Sequence, residues 1–342
     1  MASIRTLSTT LGYLALSGHL AAAAAKEPTA SDLARLAQTA ADAKPDWWDQ
    51  VTLNYPKTLD LSCPKGGKWN PNLVPGQWTW DVVNPNANRW REGTKFWHMV
   101  LANAKDKGWS DAEKQATVSL SHCYGELLQD WPRAYYWLKA ADAQEPNQVE
   151  RMIKIAHCEW QLGSPTQAKK SLKQIPTDTT RHGSLIKLWA DLGEYGTAYR
   201  LAQQKLGSMR DVGWFMAGYT AQLEGDFTKA LAAFAEVEKA DQKQCGRDWK
   251  QTKARAQSAS QAIILFEKLD LAKVTDGTYR ASSTGYNGPV EVTVVVKQQR
   301  IADVSVSKHQ EKQYYASLTE IPAKIIAKQH VKDVDATLGA TI

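Results

Sequence analysis

The middle of this chain repeats itself. Four segments line up: Gln129-Asp130-Trp131-Pro132-Arg133-Ala134, Gly163-Ser164-Pro165-Thr166-Gln167-Ala168, Gly193-Glu194-Tyr195-Gly196-Thr197-Ala198 and Gly225-Asp226-Phe227-Thr228-Lys229-Ala230. Their spacings are 34, 30 and 32 residues. Each closes on an Ala, and Leu138, Leu172, Ala202 or Phe234 follows four positions later. A small residue and an apolar one at i and i+4 share one helix face. The Gly at the head of three segments suits the end of a preceding helix. A unit this short cannot bury its apolar face alone, so such units stack on their neighbours. Residues 111–267 therefore read as serial helical hairpins.

This pattern resembles the tetratricopeptide repeat over about 120–240. In the first unit Ala141 and Pro146 also fit that helix-turn-helix pattern. Two units are shorter than the usual period, and the aromatic positions vary. The resemblance implies a curved solenoid with a concave face, which serves either as a docking surface for a protein partner or as a structural spacer.

The flanks differ from the repeats. Residues 1–25 begin with a lone Arg5, continue through a mostly apolar Leu11 to Leu20, and end in Ala21 to Ala25 before Lys26-Glu27-Pro28. That order is the signature of a secretory signal, so the mature protein is expected to be exported, periplasmic or extracellular. Ser31 to Ala43 reads as a short helix. The rest of the segment 26–110 is rich in Trp, Asn, Pro and Gly and reads as irregular. Trp47, Trp48, Trp69, Trp78, Trp80, Trp90, Trp97 and Trp109 lie in it, most readily as anchors onto a helical core.

Composition narrows the partners. The net charge of +6 is spread along the chain without a dense Lys/Arg block, which speaks against nucleic acid. No later stretch has the roughly 20 apolar residues needed to span a bilayer. The four cysteines form no CxxC or CxxCH, so no zinc ribbon or attached haem is expected. Buried free thiols are the favoured reading, with a Cys123–Cys158 pairing the alternative. No cluster has metal-ligand spacing, and no nucleophile–base pair or carboxylate pair marks a catalytic residue.

From residue 273 the period changes. Asp276-Gly277-Thr278-Tyr279-Arg280-Ala281 starts a strand. Val290 to Val296 and Ile301 to Val306 alternate around Lys297-Gln298-Gln299, which reads as a hairpin with one buried face. Ile321 to His330 reads as a helix, with Pro322 suited to its first turn. The chain closes on Asp335-Ala336-Thr337-Leu338-Gly339-Ala340-Thr341-Ile342.

The order Asp-Gly-x-Tyr, Gly-Tyr-x-Gly-Pro-x-x-Val, hairpin, Ile-Pro-x-x-Ile-Ile and Asp-Ala-x-x-Gly-Ala-Thr resembles the FMN-binding domain over 273–342. That domain occurs in flavin-carrying subunits of sodium-translocating NADH:quinone reductase and of Rnf-type complexes. The resemblance implies FMN as cofactor, joined through its phosphate to the hydroxyl of Thr341 by a flavin transferase that uses FAD and magnesium. Gly339 and Ala340 are the small residues before the acceptor, and Asp335 matches the acidic position. Tyr286 and Gly288 belong to a compact loop expected against the flavin, and Tyr279 is a second candidate for stacking on it. Leu338 stands where the family has Ser or Thr. The family continues past the motif, so the resemblance also implies a domain clipped at its C-terminus.

The fold class expected is thus multidomain: a TPR-like α-helical solenoid, then a small α+β FMN-binding domain. The function expected is an extracytoplasmic flavoprotein that relays electrons to or from a protein redox partner, membrane-bound or not, docked by the repeats. The alternatives are an exported scaffold without flavin and a flavin enzyme acting on its own substrate.

Overall fold

The computed structural model describes residues 26–334 apart from 67–68, 177–182, 266–268, 286–287, 312–316 and 332–333. Residues 1–25, expected from sequence to be a secretory signal, and the candidate site residues Tyr286, Asp335, Gly339, Ala340 and Thr341 lie outside the described residues.

The chain opens with α1 (Ala30–Asp42), whose first turn is closed by a reciprocal capping box between Thr29 and Asp32. A short α2 (Pro75–Trp78) and a π-turn (Thr79–Val83) lead into α3 (Trp90–Lys107). The 18-residue α3 lies in the segment read as irregular from sequence. Gly93 and two tryptophans hide its periodicity, yet Phe96, Trp97, Val100, Leu101 and Ala104 form one buried face. Gly93 is needed for close packing, because a β-carbon there would sit in contact with Val83. Trp78 and Trp97 are fully buried and Trp69 is exposed, so anchoring describes the first two and not the third.

Helical hairpins then follow in series. They are α4 (Ser110–His122) with α5 (Trp131–Gln144), α6 (Val149–Gln161) with α7 (Pro165–Leu172), α8 (Gly183–Asp191) with α9 (Tyr195–Lys205), and α10 (Arg210–Glu224) with α11 (Phe227–Lys239). The last of the array is α12 (Trp249–Leu265). The repeated Ala134, Ala168, Ala198 and Ala230 are all fully buried, as small residues between close-packed helices must be. Gly225 ends α10 in the left-handed region (φ +86°), and its N–H closes back on Ala221 and Gln222. Asp130 and Asp226 accept from Arg133 N and Lys229 N and so cap α5 and α11.

The helices bury two apolar clusters. One gathers Leu33, the α3 and α4 faces, Tyr135 and Cys158. The other runs from Ile153 through Trp189, Phe215 and Phe234 to Ile263. All four cysteines are free.

The remaining elements are β1 (Gly277–Thr284), β2 (Pro289–Lys297), β3 (Arg300–Lys308) and α13 (Ser317–Lys328). They form an antiparallel sheet in the order β1-β2-β3, with α13 packed against β3. The β2–β3 turn holds Gln298 and Gln299 at φ +51° and +59°, the positive pair that a two-residue hairpin turn requires. A register shift between Val295 and Val296 lets Ile301 and Val304 both enter the buried face beside Val296. Helix α13 starts a turn earlier than the sequence signals predict, which leaves Pro322 inside it. That costs the bond to Leu318. Leu318 packs against the first apolar cluster and Glu320 accepts from Gln129, so the extra turn is held from outside.

Candidate flavin site

The hairpin between β1 and β2 carries the first part of the site. Its register pairs Thr284 with Pro289 and places residues 285–288 in the connection. The loop closes through Gly285 N donating to Gly288 O at 2.8 Å. Gly285 is required by space. A β-carbon on Gly285 would collide with the Glu311 carboxylate and lie 2.6 Å from Val290 Cγ2. One on Gly288 would lie 2.7 Å from Gln310 Oε1. The loop therefore meets Gln310 and Glu311, just past the end of β3, with bare backbone.

The second part is the end of α13. Gln329 ends α13 at φ +56°. Its amide reaches back to β3: Ile301 N donates to Gln329 Oε1 at 2.8 Å, and Gln329 Nε2 donates to Ile301 O at 2.9 Å. Nε2 also lies 2.7 Å from Ile326 O. This one side chain fixes the exit of the helix against the sheet. After it, Val334 N donates to Val331 O.

Of the residues singled out from sequence, Gly288 is placed directly in this loop. Tyr279 has a local role: its hydroxyl donates to Thr275 O at 2.7 Å, and its ring lies beside Gly277. Gln310, Glu311 and Gln329 were not foreseen. Nothing in a lone Gln or Glu distinguishes a clamp from a solvated side chain. Among the described residues no cluster of His, Cys, Asp or Glu could hold a metal ion.

Burial pushes the Cys63 and Cys123 thiols up to about 12, and burial raises Cys158 further. Thiols so held stay protonated and inert at neutral pH.

Residues 285–342 match the FMN-binding domain. The match opens at the glycine of the β1–β2 loop and runs through the hairpin and α13 to the end of the chain. Strand β1 precedes the matched residues and pairs with β2 along its whole length. No curated protein and no solved structure matches the chain. FMN is the cofactor of this domain. The ring of that group supplies reversible one- and two-electron chemistry while the protein sets position and polarity.

Proposed function

We propose that this chain is an exported flavoprotein that carries FMN as a phosphoester on Thr341 and relays electrons to or from a protein partner docked by its helical array. The observation that carries the reading is the FMN-binding domain over 285–342, which brings Asp335, Gly339, Ala340 and Thr341 into the matched span. The array is read as TPR-like repeats, and residues 1–25 as the export signal. Among the described residues no helix is long and apolar enough to cross a membrane.

The attachment chemistry needs one hydroxyl and room around it. The Thr341 oxygen attacks the FMN-side phosphorus of FAD, the pyrophosphate bond breaks, AMP leaves, and the hydroxyl proton is lost. Gly339 and Ala340 keep the approach open for the flavin transferase. No residue of this chain is assigned a catalytic part in that step.

The test is coexpression with a flavin transferase. The protein should then show flavin fluorescence that survives denaturing electrophoresis, and Thr341→Ala should abolish it. A fluorescent band that persists in the variant refutes the site. Colourless wild-type protein that binds no added FMN favours an exported scaffold, the reading that Leu338 supports at the position where the family has a hydroxyl.

A further inference from the structure

The four repeated segments do not start their second helices in the same way. Asp130 and Asp226 cap α5 and α11 from within their own segments. Glu194 holds the same place before α9, but its carboxylate goes to Lys169 Nζ at 2.7 Å and makes no cap bond. The second segment has Ser164 there, and its side chain makes no bond to the first turn of α7. Yet α7 is the shortest of these helices, with 8 residues against 14, 11 and 13 for α5, α9 and α11. The first backbone N–H groups of a helix have no partner within it, and in so short a helix they are a large share of the whole. Pro165 removes one such donor, and Ala168 N donates to Ser164 O at 3.0 Å. The two between them are met from the start of the chain. Thr166 N donates to Glu27 Oε1 at 2.7 Å, and Thr166 Oγ1 donates to Glu27 Oε2 at 2.8 Å. The backbone N–H of Gln167 donates to the same carboxylate. The buried Ser164 hydroxyl faces the other way and donates to Pro28 O at 2.7 Å.

We propose that Glu27 and Pro28 form a latch, which supplies α7 across 139 residues of sequence with the cap its own segment lacks, so that the first turn of α7 opens and closes with the docking of this strap. Both carboxylate oxygens are used, and they sit at the helix end where the backbone dipole favours negative charge. The serine at the cap position completes the fit, because its hydroxyl holds the strap where an aspartate would have capped the helix itself. The strap is also tied at its other side. Thr29 follows directly and caps α1, and α1 packs against α5 of the first hairpin. Two helix starts, α1 and α7, are thus closed by residues 27–29, and the latch joins the N-terminal helix to the second hairpin. It lies apart from the FMN-binding domain, so it stands or falls separately from flavin attachment.

The experiment is residue-resolved hydrogen exchange on the full chain. In Glu27→Ala the amides of Thr166 and Gln167 should exchange about fivefold faster, the factor that the loss of one helix cap implies, while α11 keeps its rates. Glu27→Gln retains one acceptor oxygen and should fall between Glu27→Ala and the unaltered chain. Adding Ser164→Asp to Glu27→Ala should slow the α7 amides again, because an aspartate there caps in cis as Asp130 and Asp226 do. Asp226→Ala should give the reverse map, with α11 faster and α7 unchanged. Thr341→Ala should leave all of these rates as they are. The proposal is overturned if Glu27→Ala leaves α7 exchange unaltered, or if α11 quickens by the same factor, which would mean a general loss of stability. It is also overturned if the double variant, with unchanged far-ultraviolet circular dichroism, exchanges at α7 as fast as Glu27→Ala.

Discussion

His98 shows how one partly buried residue ties stability to pH. It sits on α3, accepts or donates at 2.9 Å with the Tyr124 hydroxyl, and meets Trp48, Tyr124 and Trp137 edge-on. Burial, aided by the nearby Arg133 charge, lowers its pKa from 6.5 to about 4. The folded state therefore takes up this proton later than the unfolded state. Its contribution is whole above pH 6.5 and is lost as pH falls toward 4, by up to about 3 kcal/mol. Urea midpoints should fall between pH 7 and 5, and the fall should shrink in His98→Gln; an equally steep variant profile contradicts the assignment. Glu159 is the converse case. Burial raises its carboxyl pKa against the lowering effect of hydrogen bonds from Ser171, Gln167 and Tyr135. An acid raised in the folded state loses stability as pH climbs above its unfolded value. Glu159→Gln should stabilise the protein at pH 7 by about 1 kcal/mol, read by chemical denaturation, and destabilisation there would refute the account.

At the scale of elements, two helical glycines separate packing from propensity. A β-carbon on Gly218 of α10 would lie 2.5 Å from Phe234 Cε1 of α11, whereas one on Gly196 of α9 would meet nothing within 4 Å. Gly218→Ala should cost about 1–3 kcal/mol through overpacking. Gly196→Ala should be neutral or stabilise by up to about 1 kcal/mol through helix propensity. Paired thermal or urea melts check both, and equal effects would mean that α10 and α11 are not packed as described. The same elements show what was readable in advance. The buried alanines of the hairpins and the alternation of β2 and β3 were legible because burial writes a period into the residues. Helix α3 was not, because Trp, Gly and Asn blur its period and its burial depends on partners distant in sequence. The early start of α13 was hidden for the same reason, since Leu318 and Glu320 find their partners across the molecule. The clamp of Gln329 left no pattern at all, being one amide whose worth depends on where β3 passes.

At the scale of the molecule, the helical array holds the FMN-binding domain at two places. Gln129 Nε2 donates to Glu320 Oε2 at 2.6 Å, and Leu318 packs on the first apolar cluster. At the other place α12 touches β1, with Ser258 and Ser283 hydroxyls 3.3 Å apart. Gln129 itself sits at φ +53° in the turn before α5, so the first repeated segment presents the side chain that meets α13. Removing it should loosen the domain without unfolding the array: in Gln129→Ala, hydrogen exchange over 317–328 should quicken while exchange in α10 and α11 is unchanged. Unaltered exchange in α13 would show that this contact does not hold the domain.

The central claim is chemical, and mass reports it. Purified protein made beside a competent flavin transferase should be heavier than the chain alone by one FMN less one water, with the added mass on the peptide that contains Thr341. An unmodified mass, or an adduct that maps to another residue, would contradict the account.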